Sequence, residues 1–244
     1  MKLQVKNITK KFNSTTAVNN ISFVVEKNKT LGLLGPNGCG KTTSIGMMLG
    51  LITPTSGEIF INETKLETKS RIELLSLMNF ASPYIELPKK LTVKQNLEVY
   101  ARLYGVNKIH ERINEMIEDL SLQKFLNKKT GELSSGQKNR VALAKSLINK
   151  PKLLFLDEPT ASLDPDVGDF VRKYIEDYKI NNELTILLAS HNMSEVQRLC
   201  DDIIMMKEGK IVDRGTCDEL IKKHGRENLE DTFLKIARSV NEFE

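Results

Sequence analysis

Residues 35–43 read GPNGCGKTT and directly follow the apolar stretch TLGLL, residues 30–34. The glycines of this G-x-x-x-x-G-K-[ST] pattern let the backbone curl so that successive N–H groups point at an anion. A helix beginning near Lys41 would add its positive N-terminal end. We expect Lys41 to reach the β- and γ-phosphates of a nucleotide and the Thr42 hydroxyl to ligate Mg²⁺. A predicted strand before the loop and a predicted helix after it favour a nucleoside triphosphate site over a flexible glycine turn.

The predicted nucleotide-binding residues of this loop are Gly35, Pro36, Asn37, Gly38, Cys39, Gly40, Lys41, Thr42 and Thr43. Cys39 lies at the predicted helix N-terminus close to Lys41, an environment that favours the thiolate form. We therefore expect Cys39 to be a reactive thiol that nucleotide protects from alkylation. The alternative is that Cys39 is a small filler side chain.

Two acidic residues end the stretch LLFLDE, residues 153–158. The four apolar residues predict a buried strand, so Asp157 would project from its carboxyl end, where ligands of α/β proteins bind. A carboxylate there can hold Mg²⁺ through water, and Glu158 would be placed to polarise an attacking water. Two solvated acids at a strand end are the alternative, which the preceding strand and the glycine-rich loop disfavour.

The stretch LSSGQ, residues 133–137, opens a predicted helix. The Ser134 hydroxyl and the backbone N–H of Gly136 therefore offer another anion site. An ordinary Ser/Gly helix cap is the alternative. The position of this stretch just upstream of LLFLDE favours the anion site.

The predicted secondary structure around these residues differs between the beginning, the middle and the end of the chain. Alternating strands, including LQVKNI and ISFVV, dominate the first third. A helical period begins at LTVKQNLEVYARLYG with Thr92 as N-cap and Gly105 as stop. The stretch KIHERINEMIEDL predicts a helix with one apolar face, formed by Ile109, Ile113, Met116, Ile117 and Leu120. After Pro151, short buried strands alternate with helices, which indicates a mainly parallel sheet covered on both faces. We predict an α/β fold with a P-loop NTPase core, an N-terminal antiparallel β region and one domain over residues 1–244. A helical subdomain would be inserted at about 83–150.

Composition narrows the class of protein. The 36 lysines and arginines nearly balance 32 aspartates and glutamates, and a net charge of +4 is too small to predict a nucleic-acid partner. No stretch approaches the roughly 18 apolar residues of a membrane span, and the N-terminus lacks the apolar core of a signal peptide. The three cysteines and three histidines are scattered without metal-ligand spacing. We expect a soluble intracellular protein without a zinc site.

Residues 133–165, LSSGQKNRVALAKSLINKPKLLFLDEPTASLDP, resemble the nucleotide-binding subunits of ATP-binding-cassette (ABC) proteins, and the resemblance covers nearly the whole chain. It implies ATP and Mg²⁺ as ligands, with Thr42 and Asp157 at the metal. It also implies that the LSSGQ site contacts the γ-phosphate bound by the opposite subunit, and that ASLD, residues 161–164, is the loop by which two subunits sense each other. The residues implied at the LSSGQ site are Ser134, Gly136 and Gln137.

The same resemblance implies catalytic roles for three residues, which are Glu158, His191 and Lys41. His191 resembles the histidine that links γ-phosphate, water and glutamate, and its position at the end of a parallel strand favours this role over a structural one. Phe12 matches the aromatic that stacks on adenine, with a core aromatic as the alternative. One departure from the family matters for coupling: Ser82 stands after LMNFA, where a glutamine usually contacts Mg²⁺ and reports nucleotide state to the membrane partner. A serine would pass that contact to water.

The resemblance implies an ATPase subunit of a membrane transporter. Two copies would pair head to tail around two ATP molecules and drive a separate integral-membrane permease, which would hold the chain peripherally on the cytoplasmic face of the membrane. We expect the permease to dock on a surface from Pro83 to Gly105, and the C-terminal region, similar to multidrug and polysaccharide exporters, favours export over import. The alternative is a soluble ABC ATPase without a permease, in iron–sulfur assembly for example. A module that binds ATP without hydrolysing it is disfavoured by Glu158 and His191.

Overall fold

The computed structural model describes residues 1–83, 85–161 and 163–238. The strands, numbered along the chain, are β1 (Leu3–Phe12), β2 (Thr15–Val25), β3 (Thr30–Leu34), β4 (Ser56–Ile61), β5 (Thr64–Lys65), β6 (Met78–Ala81), β7 (Leu153–Asp157), β8 (Thr185–Ala189), β9 (Asp202–Lys207) and β10 (Lys210–Gly215). The helices are α1 (Lys41–Met48), α2 (Arg71–Ser76), α3 (Val93–Leu103), α4 (Ile109–Asp119), α5 (Ser135–Leu147), α6 (Pro165–Asn182), α7 (Met193–Leu199), α8 (Cys217–His224) and α9 (Leu229–Arg238).

The chain divides into two compact units, and the first contains Met1–Ile72 and the chain from Thr185 onward. Its antiparallel sheet has the strand order β2-β1-β4-β5. A second set of strands places β3 between β8 and β9, parallel to both, with β10 antiparallel on β9. Strands β3 and β8 are buried along their whole length, as their unbroken apolar sequences predict.

The first two strands are longer than their alternating sequence predicts. The prediction covered LQVKNI and ISFVV, whereas β1 continues through a polar run to Phe12 and β2 begins at Thr15. Strand β1 is paired on both sides, by β2 and β4, and its register shifts at bulges, so hydrogen bonding rather than apolar alternation extends it. Asn13, at a φ of 50°, makes the turn between the two strands.

The second unit, Glu73–Leu184, contains most of the helices and the parallel pair β6 and β7. Helix α3 begins as predicted at Thr92, whose side chain forms a capping box with Gln95. Gly105, at a φ of 65°, follows the end of α3, also as predicted. Helix α4 buries Ile113, Met116 and Ile117 on one face, which confirms the periodicity of that segment.

Two helices at the carboxyl end complete the first unit and were not predicted. Helix α8 begins at a capping box between Thr216 and Glu219, a Thr-x-x-Glu pattern that is visible in the sequence. Together with α9 it packs against buried side chains of β3, α7 and β9; the buried members of this cluster are Leu34, Val196, Ile203, Met205, Leu220 and Leu229. The C-terminal helices therefore support the strand that leads into the glycine-rich loop.

The predicted fold class is confirmed, because the structure combines an N-terminal antiparallel sheet with parallel strands and helices. The single domain and the limits of the helical subdomain, about 83–150, stay a prediction. Among the residues described, no helix is both long enough and apolar enough to cross a membrane.

Candidate nucleotide-binding site

The glycine-rich loop lies between β3, which ends at Leu34, and α1, which begins at Lys41, as predicted. Gly40 is the N-cap of α1 with a φ of 104°, a conformation that side-chain-bearing residues rarely adopt. A Cβ at Gly40 would also lie 2.5 Å from the Ala17 carbonyl oxygen. No side chain caps α1, so the first-turn amides of this helix have the arrangement that binds phosphate.

The other end of the loop is as tightly constrained. A Cβ at Gly35 would lie 2.4 Å from the Cys39 sulfur and 2.4 Å from the Met206 carbonyl oxygen. The Gly209 amide donates to the Cys39 carbonyl over 3.0 Å. The loop is therefore braced by the β9–β10 hairpin, about 170 residues away in sequence, and the loop sequence contains no sign of this contact.

Lys41 and Thr42 differ in how much of their surface is available. The Lys41 ammonium is buried and donates to the carbonyl oxygens of Gly35, at 2.6 Å, and Pro36, at 3.2 Å. Thr42 is exposed in the first turn of α1. The lysine thus holds a fixed positive charge within the loop, while the threonine hydroxyl faces solvent, where an ion could reach it.

The prediction that Cys39 is an activated thiol is wrong. Its side chain is 3% exposed, and burial raises the pKa of the Cys39 thiol, an effect that outweighs the opposing Coulombic attraction of Lys41. Sequence spacing placed the thiol beside a positive charge correctly, since the Lys41 ammonium lies 3.9 Å from the sulfur. It could not show that the thiol points into the protein interior. Cys39 is the filler side chain of the alternative interpretation.

The first unit also contains His191 and Phe12. Strands β3 and β8 pair in parallel with Leu33 opposite Ala189, so their carboxyl ends are adjacent and His191, two residues beyond β8, lies on the same edge as the glycine-rich loop. His191 is exposed. Phe12 ends β1 with 47% of its surface exposed, and the Lys10 ammonium lies 5.0 Å from its ring centroid. An exposed ring excludes the core-aromatic alternative for Phe12 and leaves its surface available for stacking.

In the second unit, Asp157 and Ser82 lie side by side. The parallel register of β6 and β7 sets Ala81 opposite Leu156, so the next residues of the two strands, Ser82 and Asp157, share one edge. Both side chains are buried. Burial excludes the alternative of a solvated strand end for Asp157.

Glu158 has an unusual backbone. It follows β7 with a φ of 54°, in the left-handed region, and its side chain is buried. Its carbonyl oxygen accepts from the Ala161 amide over 3.1 Å, which forms a tight turn. Left-handed conformations of non-glycine residues cost free energy and cluster at functional sites. The turn aims Glu158 away from the direction in which a continued strand would carry it.

The LSSGQ stretch forms the start of α5. Ser134 is the N-cap, its hydroxyl accepts from the Gln137 amide, and the Gln137 side chain accepts from the Ser134 amide. Ser134 therefore forms the helix cap that was the alternative to an anion site. Because Ser134 is exposed and its hydroxyl acts as acceptor in this cap, its own proton can still be donated to an anion.

Asn139 is a residue of this region that sequence analysis did not single out. It is buried one turn into α5, and its side-chain amide donates to the Pro159 carbonyl oxygen. This bond joins the LSSGQ helix to the turn that follows Glu158. Of the predicted ASLD loop, Ser162 lies outside the described residues, as does Tyr84 of the Pro83–Gly105 surface.

Known proteins are similar to this chain over most of its length. A family model described as "ABC transporter" matches residues 18–161. The ABC transporter ATP-binding protein NatA of Bacillus subtilis (strain 168) is 36% identical over 92% of this chain and 92% of its own length. Nod factor export ATP-binding protein I of Rhizobium sp. (strain N33) is 34% identical over 91% of this chain and 73% of its own. A dimeric structure of the ATP-binding cassette MJ0796 in a post-hydrolysis state, bound to ADP and Pi, has a TM-score of 0.81 at 24% identity and covers 88% of this chain and 98% of that one.

Proposed function

Because this chain belongs to the ABC transporter ATP-binding family, whose members bind nucleotide, we propose that it hydrolyses ATP to drive a separate membrane permease. The observation that carries the proposal is the loop at residues 35–41, where a helix without a side-chain cap begins at Lys41. A helix N-terminus with free amides and a fixed ammonium is suited to a polyphosphate. The soluble ATPase without a permease is not favoured, since the relatives are transporter subunits.

In the proposed reaction, water adds to the γ-phosphorus of ATP, the bond to the β–γ bridging oxygen breaks, and ADP and phosphate leave. The Glu158 carboxylate accepts a hydrogen bond from the attacking water, orients its lone pair and takes the proton that this water loses. Lys41 and the α1 amides hold the phosphates, and His191 holds the water and the γ-phosphate in line. Mg²⁺, with Thr42 and Asp157 as the proposed ligands, would neutralise charge on the phosphates. Phe12 stacks on the adenine.

A second copy of the chain is part of the proposal. Ser134, Gly136 and Gln137 at the start of α5 would contact the γ-phosphate held by that copy, in a head-to-tail pair. The exposed Ser134 hydroxyl and the N-terminal end of α5 supply the donors that an anion requires. The cassette MJ0796, which shares the fold, is dimeric in its ADP-bound structure, and that assembly supports the proposed pairing.

The permease is proposed to dock on the Pro83–Gly105 surface. Helix α3 lies in it and exposes apolar side chains, with Val99 40% and Leu103 71% exposed. Beside the surface is a cavity of about 340 Å³; it is lined in part by Ser82, Ile85, Leu87, Lys89, Leu133 and Val141. Exposed apolar side chains beside a concave, mostly apolar groove are typical of a protein-binding site. The Nod factor export relative favours export as the direction of transport.

The test is the variant Glu158→Gln, studied in the isolated chain by phosphate release and by size-exclusion chromatography with ATP. The amide keeps the size of the carboxylate but cannot act as a base. We expect turnover to fall by ~10²-fold or more, the range for loss of general-base catalysis, while ATP still binds and a dimer accumulates. Hydrolysis at the wild-type rate, or no ATP-dependent dimer, would refute the proposed chemistry or the proposed pairing, respectively.

A further inference from the structure

One lysine of the second unit joins three elements. Lys145, in α5, places its ammonium 5.3 Å from the ring centroid of Tyr100 and 5.7 Å from that of Tyr104, both in α3. The two rings stack on each other with centroids 6.1 Å apart. The same ammonium donates to the Asn79 side-chain oxygen, in β6, over 3.3 Å. A cation above two aromatic faces is attracted by both ring quadrupoles.

The third contact is rigid because its acceptor is held from several sides. The Asn79 side-chain oxygen also accepts from the Phe80 amide at 2.8 Å, and its nitrogen donates to Asn149 at 2.8 Å. Asn149 in turn donates to the Ser76 carbonyl oxygen over 3.0 Å. Asn79 stands three residues before Ser82 on the same strand. The ammonium therefore binds a fixed point of β6 close to the Ser82 turn.

The partly buried charge of Lys145 lowers the stability of the folded chain. Lys145 is half-buried, and burial lowers its pKa to about 8. The groups that face it from α3 are the phenols of Tyr100 and Tyr104, whose pKa values burial raises, so both rings stay neutral. The group that faces it from β6 is the Asn79 amide, which cannot ionise. None of these partners supplies a negative charge that would compensate the buried ammonium.

The sign of the effect on stability follows from proton binding. An unfolded lysine has a pKa of about 10.4. Between about pH 8 and that value the unfolded chain binds more protons than the folded chain, so the stability contribution of Lys145 rises with pH across this window. At neutral pH the charge of Lys145 therefore reduces stability. A residue whose charge reduces stability, although two aromatic faces and the Asn79 oxygen attract it, suggests a functional reason for its presence.

We propose that Lys145 is a positioning residue whose charged ammonium sets the angle between α3, the proposed docking helix, and α5, the LSSGQ helix. This inference rests on the proposed function. Ser134 lies 11 residues before Lys145, about 16 Å along a straight helix. A change of helix angle at Lys145 therefore displaces the donors that Ser134 and Gly136 offer to the ATP of a second copy.

The test measures ATP-driven pairing of the Glu158→Gln chain from pH 7 to pH 9, by light scattering at several protein concentrations. With a pKa of about 8, the charged fraction of Lys145 falls from about nine-tenths at pH 7 to about one-tenth at pH 9. Because each of the two copies carries one Lys145, we expect the pairing affinity to fall by up to ~100-fold over this range, ~10-fold for each copy. The added change Lys145→Arg keeps the charge and should flatten the profile. Lys173→Arg, an exposed lysine of α6, is the matched control and should leave the profile unchanged.

The variant Lys145→Met separates positioning from a purely structural role. It should weaken pairing at every pH while its melting temperature at pH 7 stays equal or rises, because a neutral side chain of similar length removes the buried charge. A lower melting temperature together with weaker pairing would overturn the inference in favour of a structural role. The inference would also be overturned if pairing in Lys145→Arg fell with pH as steeply as it does in the parent Glu158→Gln chain. Absence of any ATP-driven pairing in the Glu158→Gln chain at pH 7 would refute the proposed function instead.

A direct measurement completes the test. Nuclear magnetic resonance of the chain with ¹³C-labelled lysine should show one side chain that titrates near pH 8, and Lys145→Arg should remove this signal. A spectrum without a lysine that titrates near pH 8 would remove the physical basis of the inference.

Discussion

Cys39 shows at the scale of one residue how burial competes with a neighbouring charge. Its sulfur lies 3.9 Å from the Lys41 ammonium, a distance at which a cation stabilises a thiolate. The side chain nevertheless points into the interior, and the loss of hydration raises the pKa of the thiol. The thiol therefore acts as packing beneath Gly35, where a Cβ would approach the sulfur to 2.4 Å.

We expect iodoacetamide to alkylate Cys39 at least ~10-fold more slowly in the folded chain than in the denatured chain, because the thiol is both buried and protonated. The labelling rate should keep rising with pH above the ordinary pKa of a thiol, since the thiolate forms only near the raised value. Mass spectrometry of the peptide that contains Cys39 measures the rate. Denatured chain is the control, and fast labelling at neutral pH with protection by Mg-ATP would contradict the assignment of Cys39 as packing.

Helix α5 shows at the scale of one element how a helix start is fixed. Its first turn is closed by the capping box of Ser134 and Gln137, and its last carbonyl oxygens, at Leu147 and Ile148, accept from the buried Arg112 guanidinium. Between these ends Asn139 binds the Pro159 carbonyl oxygen of the turn after β7. The helix is thus held at both ends and linked to the turn that contains Glu158.

We expect Asn139→Ala to loosen this link. Loss of the donor leaves a buried carbonyl oxygen without its bond, a change of about 1–3 kcal/mol, and each kcal/mol lowers the melting temperature by about 2–4 °C for a chain of this size. The ATPase rate should fall more than the ATP affinity, since Glu158 lies in the linked turn. Thermal melting and steady-state kinetics measure both. Ser135→Ala, an exposed change in the same helix, is the control; equal losses in both variants would argue against the link.

At the scale of the whole molecule, Ser82 concerns how ATP binding and hydrolysis could be communicated to the proposed permease. The family usually places a glutamine where this chain has Ser82, a shorter side chain that is buried beside Asp157 by strand register. The Ile85 amide donates to the Ser82 carbonyl oxygen over 3.2 Å, so a turn begins here and leads into the Pro83–Gly105 surface. Ser82 therefore lies between the proposed metal ligand Asp157 and the first residue of the proposed docking surface.

We expect Ser82→Gln to leave the basal ATPase rate of the isolated chain within a few-fold, while the co-expressed permease stimulates that rate more strongly than in the wild type. The longer amide constrains the turn more directly than a serine with a bridging water, and the adjoining cavity of about 340 Å³ has room for it. Phosphate release with and without permease measures the effect. Lys138→Gln adds the same group at another residue that lines this cavity and is the control.

A large change in basal rate with unaltered stimulation would contradict the assignment of Ser82 to communication. If Ser82→Gln changes neither the basal nor the permease-stimulated ATPase rate, Ser82 serves only the turn before Pro83.

The strand–loop–helix context of residues 35–43, the parallel α/β class and the family could all be predicted from the amino-acid sequence. These follow from short-range patterns, because backbone conformation, capping and alternation are set by residues a few positions apart. The sequence also identified Asp157, Glu158 and His191 as strand-end residues, since a strand end can be recognised from an apolar run. The longer extent of β1 and β2 was not predictable in this way, because cross-strand pairing rather than local pattern produces it.

Properties that depend on residues distant in the chain could not be predicted in this way and are seen only in the folded protein. The contacts of Gly35 with Met206 and of Gly40 with Ala17, the burial of the Cys39 thiol and the position of Ser82 beside Asp157 all require the folded registers. The same is true of Lys145, whose aromatic partners lie more than 40 positions away. Burial and pKa depend on which surfaces meet and exclude water, and local sequence patterns do not contain that information.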